Sequence, residues 1–376
     1  MLMIHLVFSL LSTARAVLVI PPPMPHAWPS LNPTSPWTRA LLDDPLVADA
    51  IAHVNSVVPA SLLNIAPSIS NGSAATTYPA AAAQANCHWP RNQCTAHSYN
   101  SAFENDLVTC PEYNDWSPTF DDGPSISASG IDTTGLLTAL NSANRAATFF
   151  VIGSNVASAP QILRNTFNAG HLVASHTWSH RALTSQTNEQ IVAEIKYTEA
   201  MIYQTIGRVP KYIRPPYGDV DDRVRAIFSA LGYRNVLWTT NPPRDSQDTT
   251  TATNIRQVIR SWFVSQAGFI SLQHDIVPAT TSIAIDTVHA IIADASFPLH
   301  IKTVAQCIGD QNGYQDHKAI IITQIASSTR PLPVTSTSVQ TLLSAPTDKA
   351  TSGNMLVSEM GLLTKLAMLA LAVLAL

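Results

Sequence analysis

Short apolar runs alternate with longer amphipathic stretches between Cys110 and Cys307. The apolar runs, which predict buried strands, are 116–120, 147–152, 172–175, 211–214, 235–239, 269–273 and 299–304. The amphipathic stretches, which predict helices, are 133–144, 161–169, 188–206, 221–231, 252–265 and 282–295. This alternation predicts an α/β fold with parallel strands. Right-handed crossovers would wind the strands into a barrel or an open sheet, and in a barrel the chemistry lies where strands end.

Two segments of different character flank this region. Residues 17–109 are rich in Pro and Ala and show little periodicity, apart from 37–58, which fits one amphipathic helix. We interpret 17–109 as an extension rather than a second folded domain, and Asn71 begins an N-glycosylation sequon within it. Residues 308–352 are rich in Ser and Thr with interspersed Pro, which predicts a glycosylated stalk.

Both ends of the chain resemble targeting signals. Residues 1–16 combine a short apolar run with Ala14-Arg15-Ala16, which predicts a signal peptide; a buried N-terminal helix is the alternative. Residues 353–376 end in an apolar tail after small residues, which predicts a glycosylphosphatidylinositol (GPI) anchor signal with attachment near Ser352. A tail-anchored membrane helix is the alternative there.

Composition narrows the classes of partner. Apolar residues make up 46% and charged residues 12% of the 376, and the formal net charge is −4. A protein that coats nucleic acid needs an excess of Lys and Arg to neutralise phosphates, so that class is excluded. The mean hydropathy of +0.11 owes much to the two apolar ends.

Acidic and imidazole side chains follow two of the predicted strands. Asp121 and Asp122 come at the end of the first strand, and both can face one site only if the strand ends there. His176 and His180 follow the third strand and share a face if that segment is helical. Two imidazoles and one carboxylate fit Zn²⁺ best and are also compatible with Co²⁺, Fe²⁺ or Ni²⁺.

Two further strand ends carry groups suited to acyl chemistry. Arg214 ends the fourth strand, where it could pair with an Asp and keep it ionised. Pro215 and Pro216 follow it and lack N–H donors, so the N–H of Tyr217 is held rigidly and suits an oxyanion. His274 ends the sixth strand, in the right place for a general acid.

Taken in order, these pieces resemble the polysaccharide deacetylase family, the NodB-like domains of carbohydrate esterase family 4, and most of all its fungal chitin deacetylases. The matching segments are TFDDGPS at 119–125, HTWSH at 176–180, RPPYGD at 214–219, DSQDT at 245–249 and LQH at 272–274. The resemblance covers about residues 110–307 and implies a distorted (β/α) barrel of about seven parallel strands.

The resemblance also implies a role for each matching residue. Asp122, His176 and His180 would bind a divalent metal, with Zn²⁺ first and Co²⁺ second. Asp121 would be the general base, and Arg214 would orient it.

The remaining roles concern the oxyanion, the leaving amine and the acetyl group. The Tyr217 N–H would stabilise the oxyanion, and Leu272 would line the pocket for the acetyl methyl. His274 would be the general acid, polarised by Asp248. The chain departs from the family at Thr249, where a Trp is usual, so the wall of the site is expected to be more open or more polar.

Similar fungal enzymes imply one disulfide, and the closeness of the other two cysteines in sequence suggests a second. A Cys110–Cys307 bridge would tie the ends of the barrel together, and Cys87–Cys94 would form a second, local bridge. A secreted route permits both.

The leading hypothesis is therefore a chitin deacetylase that makes chitosan in the cell wall, secreted and held on the outer face of the plasma membrane by its GPI lipid. Its partner would be a neutral acetylated glycan, and the protein would be a monomer. The first alternative is an enzyme for another acetylated polysaccharide, such as acetylxylan or peptidoglycan. The second, motivated by Thr249, is a wall-polysaccharide-binding protein with little activity.

Overall fold

Strands and helices alternate along the chain much as their patterns predict. The computed structural model describes residues 21–70, 76–95, 104–246 and 252–315. The strands in these ranges are β1 Ile69–Ser70, β2 Thr76–Thr77, β3 Asp115–Asp121, β4 Thr148–Val151, β5 Leu172–Ser175, β6 Tyr212–Ile213, β7 Arg234–Asn235, β8 Phe269–His274 and β9 His300–Ile301. The helices are α1 Arg39–Leu42, α2 Pro45–Val57, α3 Ala60–Leu63, α4 Ala80–Ala85, α5 Trp89–Asn92, α6 Thr133–Ser142, α7 Gly153–Ser158, α8 Pro160–Asn168, α9 Asn188–Ile206, α10 Asp222–Ala230, α11 Ala252–Ser261, α12 Pro278–Ala293 and α13 Val304–Cys307.

One parallel sheet occupies the centre of the fold, in the order β7-β6-β5-β4-β3-β8, with β9 also paired to β3. Beyond β7 the chain stays extended and reaches β8. There the Thr239 N–H donates to the Ile270 carbonyl (3.0 Å) and the Leu272 N–H donates to the Arg244 carbonyl (2.9 Å). These bonds curl the sheet, and the predicted distorted barrel of about seven parallel strands is confirmed.

Helix α9 packs inside the fold rather than on its surface. Every residue from 191 to 202 is buried, including Glu194, Lys196 and Glu199. A helix on a barrel normally exposes one face, so a second layer must cover the outer face of α9. That layer is formed by α1 and α2, which pack against α9.

This second layer belongs to the segment that the sequence suggested was a mere extension. We call residues 21–70 and 76–95 the N-terminal segment. Its α2 buries Leu46, Val47, Ala50 and Val54 in the same hydrophobic core as the barrel helices. Within the described residues, the N-terminal segment is therefore an integral part of the fold that carries the strand-end residues.

The single amphipathic helix predicted over 37–58 is wrong, because the structure has two helices there, α1 and α2. The break falls at Asp44, whose backbone is non-helical and whose side chain accepts a hydrogen bond from the Leu46 N–H at 2.9 Å. Pro45 follows, and a proline disfavours helical geometry in the residue before it. An N-cap followed by proline starts a new helix.

Two smaller differences concern short elements. Only His300 and Ile301 of the predicted strand 299–304 are in a strand, because Thr303 caps α13 by accepting from the Gln306 N–H at 3.2 Å. Helix α7 was not predicted, because six residues are too few for a helical period to show in the sequence.

The disulfides pair as expected, Cys110 with Cys307 and Cys87 with Cys94. No helix in the described ranges combines the length and apolar character needed to cross a bilayer. The predicted signal peptide and GPI signal, together with Asn71, Asp248, Thr249 and Ser352, lie outside the described residues.

Candidate active site

Three side chains converge at the strand ends in a geometry that fits a metal ion. Ligand atoms of Asp122, His176 and His180 all lie within 4.8 Å of one another. Asp122 Oδ1 is 3.3 Å from His176 Nε2 and 3.1 Å from His180 Nε2. This oxygen is buried without a well-formed hydrogen bond from the protein. A carboxylate oxygen left facing two imidazole nitrogens matches the donor set of a divalent cation such as Zn²⁺.

The electrostatics of this cluster keep its carboxylate ionised. Burial alone raises the pKa of Asp122, but the imidazoles of His176 and His180 outweigh burial and hold that pKa well below its ordinary value. Metal ligands must be deprotonated, so an ionised carboxylate is ready to bind a cation.

Strand β3 ends at a point that lets two adjacent carboxylates face one site, which is the condition stated from the sequence. The strand ends at Asp121, and Asp122 has a left-handed backbone with φ 78°. The next residue, Gly123, has no room for a side chain, because a Cβ there would lie 2.5 Å from a carboxylate oxygen of Asp275. Left-handed backbone in a non-glycine residue is strained and clusters at functional sites.

The two histidines converge through a loop, so the condition that their segment be helical is not met. Thr177 and His180 have φ 67° and φ 58°, outside helical geometry. Instead, each Nδ1 has its own partner: His176 lies 2.7 Å from the Arg214 carbonyl, and His180 lies 3.0 Å from the Tyr217 hydroxyl. Such partners fix ring orientation and leave both Nε2 atoms for the metal.

A buried glutamate on α9 holds the loop between the histidines. Glu194 accepts hydrogen bonds from the Trp178 and Ser179 N–H groups, both at 2.8 Å, and from the Ser179 hydroxyl. The Trp37 indole N–H of the N-terminal segment donates to the same carboxylate at 3.2 Å. The sequence reasoning missed Glu194, because a glutamate inside a helix gives no signal of what it contacts.

Arg214 fixes the second carboxylate, Asp121, as the sequence suggested an arginine here could. Its guanidinium is fully buried and donates to Asp121 Oδ1 at 2.7 Å and to the Thr119 hydroxyl at 2.6 Å. It also donates to the carbonyls of Val236 and Leu237 at 3.2 and 2.9 Å. The Asp121 carboxylate thus lies 3.8 Å from His176 Nε2. It is held beside the Asp122, His176 and His180 side chains, which we call the metal cluster.

The residues that end β8 lie directly beside Asp121. In the parallel pairing, His274 is opposite Asp121 and Leu272 is opposite Thr119, with Leu272 buried. The loop that should carry Asp248 is described only up to 246, and there Asp245 pairs in register with Leu272. Asp245 is thus the described carboxylate of that motif, while the role predicted for Asp248 stays a prediction.

The double-proline turn presents Tyr217 at the same edge of the sheet. Tyr217 lies in a single 3₁₀ turn, Pro216–Gly218, with φ 61°. Its side chain is 42% exposed and reaches His180 through its hydroxyl. The turn therefore presents both this ring and its backbone beside the metal cluster, and the oxyanion role of its N–H stays a prediction.

A second buried carboxyl, Asp275, was missed although it directly follows His274. Its Oδ2 accepts the Thr133 hydroxyl at 2.6 Å, and its N–H donates to the Asp121 carbonyl at 3.2 Å. Burial raises its pKa to about 7. The sequence did carry one sign that Asp275 belongs to the site: it directly follows the LQH segment at 272–274.

Comparisons with known proteins agree with this arrangement. Residues 110–236 match the family described as Polysaccharide deacetylase. Chitin deacetylase 1 of Saccharomyces cerevisiae is 35% identical over 224 residues, which cover 58% of this chain and 68% of that protein. The chain belongs to the polysaccharide deacetylase family.

Other relatives are longer than the part that matches. Chitin deacetylase 1 of Cryptococcus neoformans var. grubii is 33% identical over 300 residues, 75% of this chain and 58% of that protein. Chitin deacetylase of Amylomyces rouxii is 35% identical over 231 residues, 59% of this chain and 53% of that protein. The chain therefore spans little more than half the length of these two relatives. Among solved structures, the chitin deacetylase of Colletotrichum lindemuthianum is 26% identical, with a TM-score of 0.48 over 56% of this chain and 95% of that chain.

Proposed function

We propose that this protein is a metal-dependent deacetylase that hydrolyses the N-acetyl groups of chitin to give chitosan and acetate. The observation that carries the proposal is the meeting of three groups at one edge of the sheet: the Asp122–His176–His180 cluster, the Arg214-bound Asp121, and His274 on the adjacent strand. Chitin is the substrate named for the relatives of this chain.

Asp122, His176 and His180 would hold the metal, with Zn²⁺ as the first candidate and Co²⁺ as the second. A divalent cation there would supply a Lewis acid that polarises the amide carbonyl and lowers the pKa of water. Asp121, held in place by Arg214, accepts the proton of the attacking water.

The other groups act on the oxyanion and on the leaving amine. The Tyr217 N–H donates to the oxyanion, because the two prolines before it hold the turn rigid. His274, opposite Asp121, donates a proton to the departing amine, and Asp248 polarises it. Leu272 contacts the acetyl methyl.

Acetate release tests the proposal. Wild-type protein should release acetate from chitin oligomers, and a chelator should abolish the release. Asp121→Asn should lower kcat at least about 100-fold, because a general base contributes about 10²–10⁴-fold. Asp115→Asn is the matched control, since Asp115 lies at the opposite end of β3 and pairs with Lys302. Per folded molecule, that variant should keep its activity.

Three results would count against the proposal. Release of acetate from acetylxylan but not from chitin would overturn the substrate. Release that persists in chelator would overturn the metal. Binding of chitin oligomers with no acetate release under any metal would favour a binding protein instead.

Targeting and assembly are proposed on the sequence alone. Cleavage after Ala16, a glycan on Asn71 and a lipid near Ser352 would place a monomer in the cell wall and on the outer face of the plasma membrane. Mass spectrometry of the mature chain tests both ends and the glycan. Retention in the aqueous phase after detergent partitioning, before any phospholipase treatment, would contradict the lipid.

A further inference from the structure

Two cavities meet at Tyr217, beside the metal cluster. The first, which we call lobe one, has a volume of about 580 Å³ and includes His180 in its lining. The second, lobe two, has a volume of about 480 Å³ and includes Asp219. Each volume falls in the range of about 300–1,000 Å³ typical of small-molecule sites. A linear polymer with one unit at the metal cluster can extend into these lobes.

The outer walls of both lobes come from the N-terminal segment. Those of lobe one are Pro33, Thr34, Pro36 and Ser70, and those of lobe two are Thr76, Tyr78, His88, Pro90 and Arg91. All of these positions lie outside residues 110–236, the stretch that matches the family. The walls therefore come from outside the stretch that matches the family.

The wall of lobe one is fastened to the loop that carries the metal-binding histidines. Arg181, directly after His180, donates to the Pro33 carbonyl at 2.9 and 3.1 Å and to the Ser35 carbonyl. The Trp178 indole donates to the Ser30 carbonyl at 3.1 Å. This wall is therefore fixed relative to His180.

The wall of lobe two is fastened to the loop that carries Tyr217. His88 Nε2 lies 3.1 Å from Asp219 Oδ1, and the Trp89 N–H donates to the Val220 carbonyl at 3.1 Å. Trp89 also packs so closely on Gly218 (φ 66°) that a Cβ there would lie 2.4 Å from the indole. Walls that are ordered before binding add no ordering cost when a ligand enters.

The chemistry of the lobes fits an uncharged sugar chain. Exposed proline rings, the hydroxyl of Thr34 and the ring of Tyr217 offer apolar faces next to hydrogen-bonding groups. Most charged groups of the lobes already have partners within the protein. Asp219 is 2% exposed and accepts from the Thr184 N–H, and Arg181 donates to backbone carbonyls. Arg91 alone among the lining cations is exposed, which is too little charge for a polyanion.

We infer that the N-terminal segment forms sugar subsites in the two lobes that meet at Tyr217, next to the metal cluster, so that lobes one and two hold units of an acetylated glycan that flank the reacting unit. The inference rests on the proposed function for the identity of the glycan. Its consequence is a preference for longer oligomers, set by residues of the N-terminal segment.

Direct binding tests this inference without relying on catalysis. Thr34→Trp would place a bulky side chain in lobe one, and Arg91→Ala would remove an exposed side chain from lobe two. The matched controls are Asp49→Trp and Arg39→Ala, exposed positions of the same segment that line neither lobe. All four are combined with Asp121→Asn in metal-loaded protein, and binding of chitopentaose and chitobiose is measured by calorimetry.

The expected result is a loss that depends on oligomer length. Each lobe variant should weaken binding of the pentamer by about five- to tenfold. It should weaken binding of the dimer less, because a dimer fills one lobe at a time and can use the unaltered one. Both controls should bind both oligomers as the parent does. In the active background, the lobe variants should raise KM for the pentamer.

The outcomes separate this inference from the proposed function. If the wild type releases no acetate but the lobe variants lose pentamer binding, the function fails and the subsites stand. If the wild type deacetylates the pentamer and both lobe variants bind it as tightly as their controls, the subsites are wrong and the function stands. Absence of any oligomer binding by the parent would overturn the subsites as well.

Discussion

Replacement of Glu194 tests how the loop between His176 and His180 is held. This carboxylate is fully buried and accepts four hydrogen bonds. Its Oε2 accepts the Trp178 and Ser179 N–H groups, both at 2.8 Å, while its Oε1 accepts the Ser179 hydroxyl and the Trp37 indole. The loop it holds lies between the two histidines of the metal cluster.

The loss of stability in Glu194→Gln depends on which carboxylate oxygen is replaced by the amide NH₂. The amide would keep its oxygen on the two backbone N–H groups and turn its NH₂ toward the Ser179 hydroxyl, which can rotate to accept. The Trp37 indole would then lose its acceptor, and the backbone bonds would lose their charge. A neutral hydrogen bond contributes about 0.5–1.5 kcal/mol and a charged one about 1.5–3 kcal/mol. We therefore expect the free energy of unfolding to fall by about 2–3 kcal/mol.

Glu194→Ala should cost more, because every donor loses its acceptor at once. An unsatisfied buried donor costs about 1–3 kcal/mol, so four donors and a cavity should lower the free energy of unfolding by at least about 4 kcal/mol. Urea unfolding monitored by tryptophan fluorescence measures both variants.

Metal affinity separates a specific role for Glu194 from a general loss of stability. Outer partners of metal ligands typically change affinity about 10–100-fold, so Glu194→Gln should weaken Zn²⁺ binding by about tenfold. Glu199→Gln is the matched control. Glu199 lies on the same helix, is equally buried, and pairs with Lys196 and Tyr233 away from the loop.

The assay is competition for Zn²⁺ with a chromophoric chelator at a temperature where all variants are folded. Glu199→Gln should be destabilised by about 3–5 kcal/mol, since it leaves a buried lysine uncompensated, yet should bind Zn²⁺ as the wild type does. Equal Zn²⁺ affinity in the wild type and Glu194→Gln would refute the reasoning. So would an equal loss in both variants.

Three further predictions concern the barrel. Arg214→Lys keeps a positive charge near Asp121 but loses the forked hydrogen bonds of the guanidinium. The free energy of unfolding, measured with urea, should therefore fall by about 2–4 kcal/mol, and kcat should also fall. Unchanged stability would contradict this. Burial lowers the pKa of His171 from 6.5 to about 4, so between pH 6.5 and pH 4 the unfolded state binds more protons than the folded state. The free energy of unfolding should therefore fall by about 3 kcal/mol as the pH is lowered from 6.5 to 4. His171→Gln should remove that part of the pH dependence in parallel urea titrations. Replacing Cys110 and Cys307 together by Ser opens a bridge across 197 residues and should lower the free energy of unfolding by about 3–5 kcal/mol, and an unchanged urea midpoint would be the contrary result.

The sequence could predict the core of the site because parallel strands align their ends. Asp121 and His274 end their strands, His176 and Arg214 directly follow theirs, and once the strands are parallel these positions meet at one edge. The adjacency of Asp121 and His274 in register is a direct consequence of that rule. Residue type and strand position were sufficient here, without knowledge of side-chain packing.

The local route by which residues reach the site was less predictable. The histidine spacing of four suggests a helix, but positive φ at Thr177 and His180 turns the segment into a loop. That conformation is held by Glu194, 14 residues beyond His180 and on another element. A spacing rule describes neighbours in sequence and cannot contain a contact made by a distant helix.

The role of the N-terminal segment was hidden for a different physical reason. Its bonds to the histidine loop are made mainly by backbone carbonyls, those of Ser30, Pro33 and Ser35, which accept from Trp178 and Arg181. Every residue carries a carbonyl, so this kind of contact leaves no mark in composition or periodicity. A sequence with low hydrophobic periodicity and many prolines can be a loose extension or an ordered wall. These two features therefore could not show that the N-terminal segment is ordered by its contacts with the histidine loop. The signal lay on the other side of the contact, in Trp178 and Arg181 beside the two histidines, because their N–H groups are the donors to these carbonyls.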